Sequence, residues 1–293
     1  MTHRRQAQMS YTTLITAAQL AELAAQSQCC IVDCRFDLAD TSRGENAYTQ
    51  GRIPGSCYAH LDHDLSSPIT SQTGRHPLPE IERLKQWLGR HGIRPNTQVV
   101  AYDDSGGNMA VRLWWLLRWL GHKKVALLDG GWQHWLSTGL PIETDKPKSP
   151  PSAEFEGDVE PGQVITSDQL YMQLSTGSSR WLIMDARTRE RFRGEAEPID
   201  PVAGRIPGAI NLPLQMNLAA DGTFKSATEL KKLYTRALNG RPPSNVVVMC
   251  GSGVTACHNL LAMEIAGLPG GRLYAGSWSE WIRDPTRPVA TGD

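Results

Sequence analysis

The chain repeats itself once, and that duplication constrains its fold more than any other feature. Gly-Arg-Ile-Pro-Gly begins at Gly51 and again at Gly204, 153 positions later. Ahead of these stand Val32-Asp33-Cys34-Arg35 and Met184-Asp185-Ala186-Arg187, each an apolar run ending in Asp-x-Arg. Behind them, Gly130-Gly131-Trp132-Gln133-His134-Trp135 is answered by Gly276-Ser277-Trp278-Ser279-Glu280-Trp281, 146 positions later, so the second copy is shorter in between. Landmarks in one order with similar spacing imply two homologous domains. A length of 293 residues, about twice a common domain, fits that division.

Each copy alternates short apolar runs with helical patterns, which predicts α/β domains, each a parallel sheet flanked by helices. In the first copy Ile31-Val32, Val99 to Tyr102 and Val125 to Leu128 read as buried strands, and Leu78 to Gly89 and Met109 to Leu120 as helices. In the second, Trp181 to Met184, Val246 to Met249 and Arg272 to Tyr274 read as strands. Its predicted helices are Ser167 to Leu174, Thr228 to Leu238 and Val254 to Ala266. Pro147, Pro150, Pro151 and Pro161 mark a linker over 146–162, between domains at 10–145 and 163–293.

With 30 basic and 30 acidic residues the chain has no formal charge, which argues against a nucleic-acid partner. The longest apolar run, Val111 to Leu120, is interrupted by Arg112 and Arg118, so no membrane span is expected. Met1 to Ser10 lacks the apolar stretch of a secretory signal, and Met9 is an alternative start to Met1. Cys29, Cys30, Cys34, Cys57, Cys250 and Cys257 form no CxxC pair, no zinc spacing and no disulfide framework. Reduced thiols in a cytoplasmic setting, with no metal and no organic cofactor, are the expectation.

The sharpest chemical feature is Cys250-Gly251-Ser252-Gly253-Val254-Thr255-Ala256, between an apolar strand and a helix. The carboxyl edge of a parallel sheet is where ligands bind. Two glycines let successive N–H groups converge, and a helix starting near Val254 aims its positive end at the same point. Together they stabilise an anion on the Cys250 sulfur, thiolate or persulfide. The remaining cysteines read as small apolar residues of the core, with Cys257 a weaker candidate for a regulatory thiol. Trp114, Trp115 and Trp119 read as core and interface packing.

The cysteine loop, the paired Gly-Arg-Ile-Pro-Gly segments and the Gly-Ser-Trp-Ser-Glu-Trp end resemble the tandem rhodanese family, from about Leu14 to Val289. That resemblance implies two rhodanese-like domains, each with a five-stranded parallel sheet, and one active site at their interface. It also implies sulfur transfer through a persulfide on Cys250. Alignment of the copies on Gly107 and Gly253 puts Asp104 opposite Cys250, so the first domain is expected to be catalytically inactive.

Within the family, thiosulfate-preferring members tend to carry basic residues after the cysteine, whereas Cys-Gly-Ser-Gly-Val-Thr-Ala resembles the 3-mercaptopyruvate sulfurtransferases. That likeness implies a catalytic set of Cys250, Ser252, His76 and Asp62, with the loop residues Gly251, Gly253, Val254 and Thr255 holding the transferred sulfur. Arg191 falls where the family grips the donor's anion, and the family's second arginine has no match in Glu197-Pro198-Ile199-Asp200. The implied partners are a small-molecule sulfur donor, with thiosulfate the second choice, and a thiol acceptor such as thioredoxin, or cyanide. A phosphatase of related fold needs a longer loop ending in arginine, and here Ala256 and Cys257 stand instead. A non-enzymatic persulfide carrier or redox-sensing module uses the same loop and remains the alternative.

Overall fold

Val246–Met249 is apolar at every position, and so belongs where a sheet is covered on both faces. In the computed structural model, which describes residues 10–26, 29–147, 151–177 and 180–293, all four of its residues are fully buried. Met1, Met9 and Pro150 of the expected linker lie outside the described residues.

The N-terminal half pairs β1 (Leu14–Ile15), β2 (Cys29–Asp33), β3 (Cys57–Tyr58), β4 (Gln98–Tyr102) and β5 (Val125–Leu128) in the order β1-β5-β4-β2-β3, all parallel. Its helices are α1 (Ala17–Ala25), α2 (Arg43–Gln50), α3 (Ile81–Arg90), α4 (Ala110–Trp119) and α5 (Gly131–Ser137). The C-terminal half contains α6 (Ser167–Ser175), β6 (Leu182–Asp185), α7 (Arg189–Arg193), β7 (Ile210–Asn211) and α8 (Ala227–Leu238). It continues through β8 (Val246–Met249), α9 (Ala256–Ile265), β9 (Arg272–Leu273) and α10 (Ser277–Trp281). Four parallel strands run β7-β6-β8-β9, and Val164 joins Leu273 by a single parallel bridge where the first half has β1. The second sheet therefore has four strands and an edge bridge rather than five strands.

Local chemistry explains the boundaries. Thr16 with Gln19, and Thr166 with Gln169, form matching capping boxes at the starts of α1 and α6, a duplicated signal worth about 1 kcal/mol each. α3 starts at Ile81 rather than Leu78, because Pro79 precedes the Glu80 cap, whose carboxylate accepts from the N–H groups of Glu82 and Arg83.

The duplicated landmarks build one knot per domain. Arg35 grips Asp33 and the Gly51 carbonyl and lies 4.7 Å over Trp132; Arg187 does the same with Asp185, Gly204 and Trp278, also at 4.7 Å. Burying such an ion pair costs less when further acceptors meet the guanidinium, and here the carbonyl and the ring do so in both domains, with Glu197 added for Arg187. One apolar cluster runs on from α4 to α9, through Trp115 and Leu116 to Leu260 and Leu261, and joins the halves. No helix among the described residues is long and apolar enough to cross a membrane.

Candidate active site

Met249 ends β8, and Cys250 begins the turn into α9. Gly253, at φ +78°, brings its N–H to the Cys250 sulfur at 3.1 Å, and a Cβ there would lie 2.1 Å from the Ala275 carbonyl oxygen. Only glycine allows that approach. Behind the sulfur, the Cys250 N–H donates to the Ser277 hydroxyl at 3.1 Å. Ser277 is fully buried and left-handed at φ +54°, a conformation costing about 1–3 kcal/mol. Its hydroxyl also donates to the Tyr274 carbonyl, so the strained residue fastens the base of the loop.

The first domain supplies the facing groups. His76 Nδ1 lies 2.7 Å from Ser252 Oγ, and His76 Nε2 lies 3.3 Å from Asp62 Oδ1. Burial pulls His76 below its ordinary pKa against the opposing pull of Asp62, while the imidazole contact holds the Asp62 carboxyl below the usual carboxylate range. The pair is therefore neutral imidazole and carboxylate at neutral pH. With Nε2–H directed at Asp62, Nδ1 is free to accept the Ser252 proton. Cys250, Gly251, Ser252, Val254, Thr255, His76, Arg75 and Arg191 share a cavity of about 170 Å³, closed by apolar residues such as Leu61 and Met109. Arg191 is pinned by Glu197 at 2.7 Å and Asp200 at 2.9 Å. A larger cleft of about 370 Å³, lined by Trp114, Trp115 and Arg272, shares no residue with this one.

Arg112 escapes a reading of sequence, where it is only an interruption in an apolar helix. It is fully buried on α4 and reaches across the domain interface to the Gly253 carbonyl at 3.1 Å, and to the His76 and Pro77 carbonyls at 3.1 and 3.3 Å. Among the described residues it makes no ion pair with a carboxylate. One guanidinium thus ties the loop bearing His76 to the loop bearing Cys250. The sole sequence signal was a charge on the apolar face of a helix.

The strand register corrects one alignment. Asp33 pairs with Tyr102 as Asp185 pairs with Met249, so Asp103, not Asp104, stands opposite Cys250. The Trp132 N–H donates to the Asp103 carbonyl just as the Trp278 N–H donates to that of Cys250. Seven positions separate Asp103 from the helix start at Ala110, against six from Cys250 to Ala256. Counting back from Gly107 crosses that inserted residue. Asp104 instead lies half-buried near Arg43, its carboxyl raised by burial and by Asp103.

Residues 16–138 and 166–284 each match the family described as Rhodanese-like domain. A Pseudomonas aeruginosa protein named "Probable 3-mercaptopyruvate sulfurtransferase" is 47% identical over 97% of this chain and 100% of its own length. Rat "Thiosulfate sulfurtransferase" is 31% identical, with 94% of each chain covered. The solved structure of "3-mercaptopyruvate sulfurtransferase from Leishmania major" superimposes with a TM-score of 0.83 at 30% identity, over 94% of this chain and 75% of that one. A match in both halves, together with these full-length relatives, makes the chain a sulfurtransferase of the tandem-domain rhodanese family.

Proposed function

We propose that the protein moves sulfane sulfur from 3-mercaptopyruvate to a thiol or cyanide acceptor through a persulfide on Cys250. The observation that carries this reading is the Asp62–His76 pair of the first domain, which reaches Ser252 in the cysteine loop of the second. Thiosulfate brings no proton to move, whereas 3-mercaptopyruvate carries an S–H that must lose one. In the first step the Cys250 thiolate attacks the donor sulfur, the carbon–sulfur bond breaks, and its electron pair passes to the methylene carbon. Ser252, backed by His76 and Asp62, conveys the proton from sulfur to that carbon, which leaves as the methyl group of pyruvate. Gly253 N–H and its neighbours hold the Cys250 persulfide anion. An acceptor such as cyanide, or a thiol of the thioredoxin kind, then attacks the outer sulfur, and the Cys250 thiolate returns.

On this reading the domains divide at 10–145 and 163–293, joined by 146–162, and the first is catalytically silent because Asp103 fills the position of the nucleophile. Gly251, Val254 and Thr255 line the sulfur site with Gly253, and Arg191 receives the donor's anion. Six unpaired thiols support a reducing compartment, which we take to be the cytoplasm.

Thiocyanate formation, measured with 3-mercaptopyruvate and thiosulfate side by side, tests the donor. A clear preference for 3-mercaptopyruvate is expected. A preference for thiosulfate would keep the sulfurtransferase and remove the role given to Ser252 and His76.

A further inference from the structure

The inference that follows rests on the reading of Cys250 as the sulfur-bearing residue. Ile199 and Asp200 stand where the family's second arginine would fall. A different arginine comes to the site from the other domain. Arg75 Nη2 lies 2.8 Å, and Arg191 Nη1 3.5 Å, from where a Cβ on Gly251 would sit. Two guanidiniums therefore face one small volume beside the nucleophile, and both line its cavity. Asp200 joins them, accepting from Arg75 Nη1 on one oxygen and from Arg191 Nη2 at 2.9 Å on the other.

The position of Arg75 is built, not incidental. Its N–H donates to the Ser279 hydroxyl at 3.0 Å, and a Cβ on the preceding Gly74 would lie 2.5 Å from the Gly276 carbonyl oxygen. Only glycine lets this loop seat on the turn before α10. Asp200 engages Nη1 of Arg75, while Nη2 is the nitrogen turned to the volume beside Gly251.

We propose that Arg75 is the second cation of the donor site. With Arg191 it forms a clamp across the domain interface for the carboxylate of a 2-oxo acid donor, and Asp200 is the brace that sets their spacing. Glu197, which also pairs with Arg187, and Asp200 offset much of the arginines' charge, so the clamp selects by hydrogen-bond geometry more than by net field. A monocarboxylate meets that arrangement better than a compact dianion.

Two measurements on the full chain test it. Arg75→Gln is expected to raise the KM for 3-mercaptopyruvate by about tenfold or more with kcat within about threefold, and Arg75→Lys to recover part of the loss. Alkylation at the Cys250 peptide, by iodoacetate and by neutral iodoacetamide, reads the same clamp without turnover. The ratio of the two rates is expected to fall about fivefold or more in Arg75→Gln. An unchanged ratio with an unchanged KM overturns the clamp. Equal losses in the Gln and Lys variants also overturn it, because packing and not charge would then be at work. Should 3-mercaptopyruvate fail as a donor while the ratio still depends on Arg75, the anion clamp stands and the donor assignment falls.

Discussion

The two halves of the chain build the same loop and put different things into it. After β4, the Asp103 carboxylate accepts from the N–H groups of Ser105, Gly107, Met109 and Ala110 at 2.7–2.9 Å. After β8, the Cys250 sulfur accepts from the Gly253 N–H at 3.1 Å, and its loop opens on a cavity. Converging amides make a site for an anion in both cases. In the first half the chain's own carboxylate fills it. In the second the Cys250 sulfur stands at its mouth, where the proposed persulfide would sit.

The interface has the same divided symmetry. Arg112 and His258 each sit two residues into their helices, α4 and α9, and each reaches to the other domain's loop. Arg112 donates to the Gly253 carbonyl, and His258 Nε2 lies 3.0 Å from the Gly106 carbonyl. The member that serves the reactive loop carries a permanent charge. The member that serves the Asp103 loop is held neutral by burial, at a pKa of about 4.

The largest effect that would break this comparison comes from His76→Ala. Sulfur transfer from 3-mercaptopyruvate should fall about a hundredfold, read as thiocyanate, while the unfolding midpoint stays close to native. Arg112→Met comes next, removing the guanidinium that donates to the Gly253, His76 and Pro77 carbonyls across the domain interface. It should slow transfer about tenfold and destabilise the protein by about 2–3 kcal/mol in urea unfolding. Asp103→Asn withdraws the charge that gathers four amides. It should cost about 2 kcal/mol in the same unfolding and leave kcat unchanged, which separates the structural loop from the reactive one.

The last effect is a slope with pH. His258 has a folded pKa below its unfolded value of 6.5, so the unfolded chain takes up the proton first as pH falls. Stability is fully present above pH 6.5 and is lost toward pH 4, by up to about 1.4 kcal/mol per pH unit. His76 and His122, also lowered by burial, add slope of the same sign. Urea midpoints across that range should fall with pH, and less steeply in His258→Leu.

What could be read from sequence was local or repeated. The two-domain division, the central strands and the cysteine loop were legible because Asp-x-Arg, Gly-Arg-Ile-Pro-Gly and the Gly-x-Trp turn recur, each making the same knot. Asp103 was missed because one inserted residue cannot be located until strand pairing shows where β4 ends. Arg112, Arg75 and Ser277 were missed for a common reason. Each acts on a partner far along the chain, which its own neighbours in sequence do not identify. The pairing of His76 with Ser252, 176 positions apart, came only through a resemblance.

The most direct test of the account is the intact mass of the protein after brief exposure to 3-mercaptopyruvate, with the modified peptide identified. The account predicts the gain of one sulfur atom on Cys250, removed by cyanide and absent from Cys250→Ser. Sulfur found on another cysteine, or an unmodified Cys250 in protein that still produces thiocyanate, would contradict it.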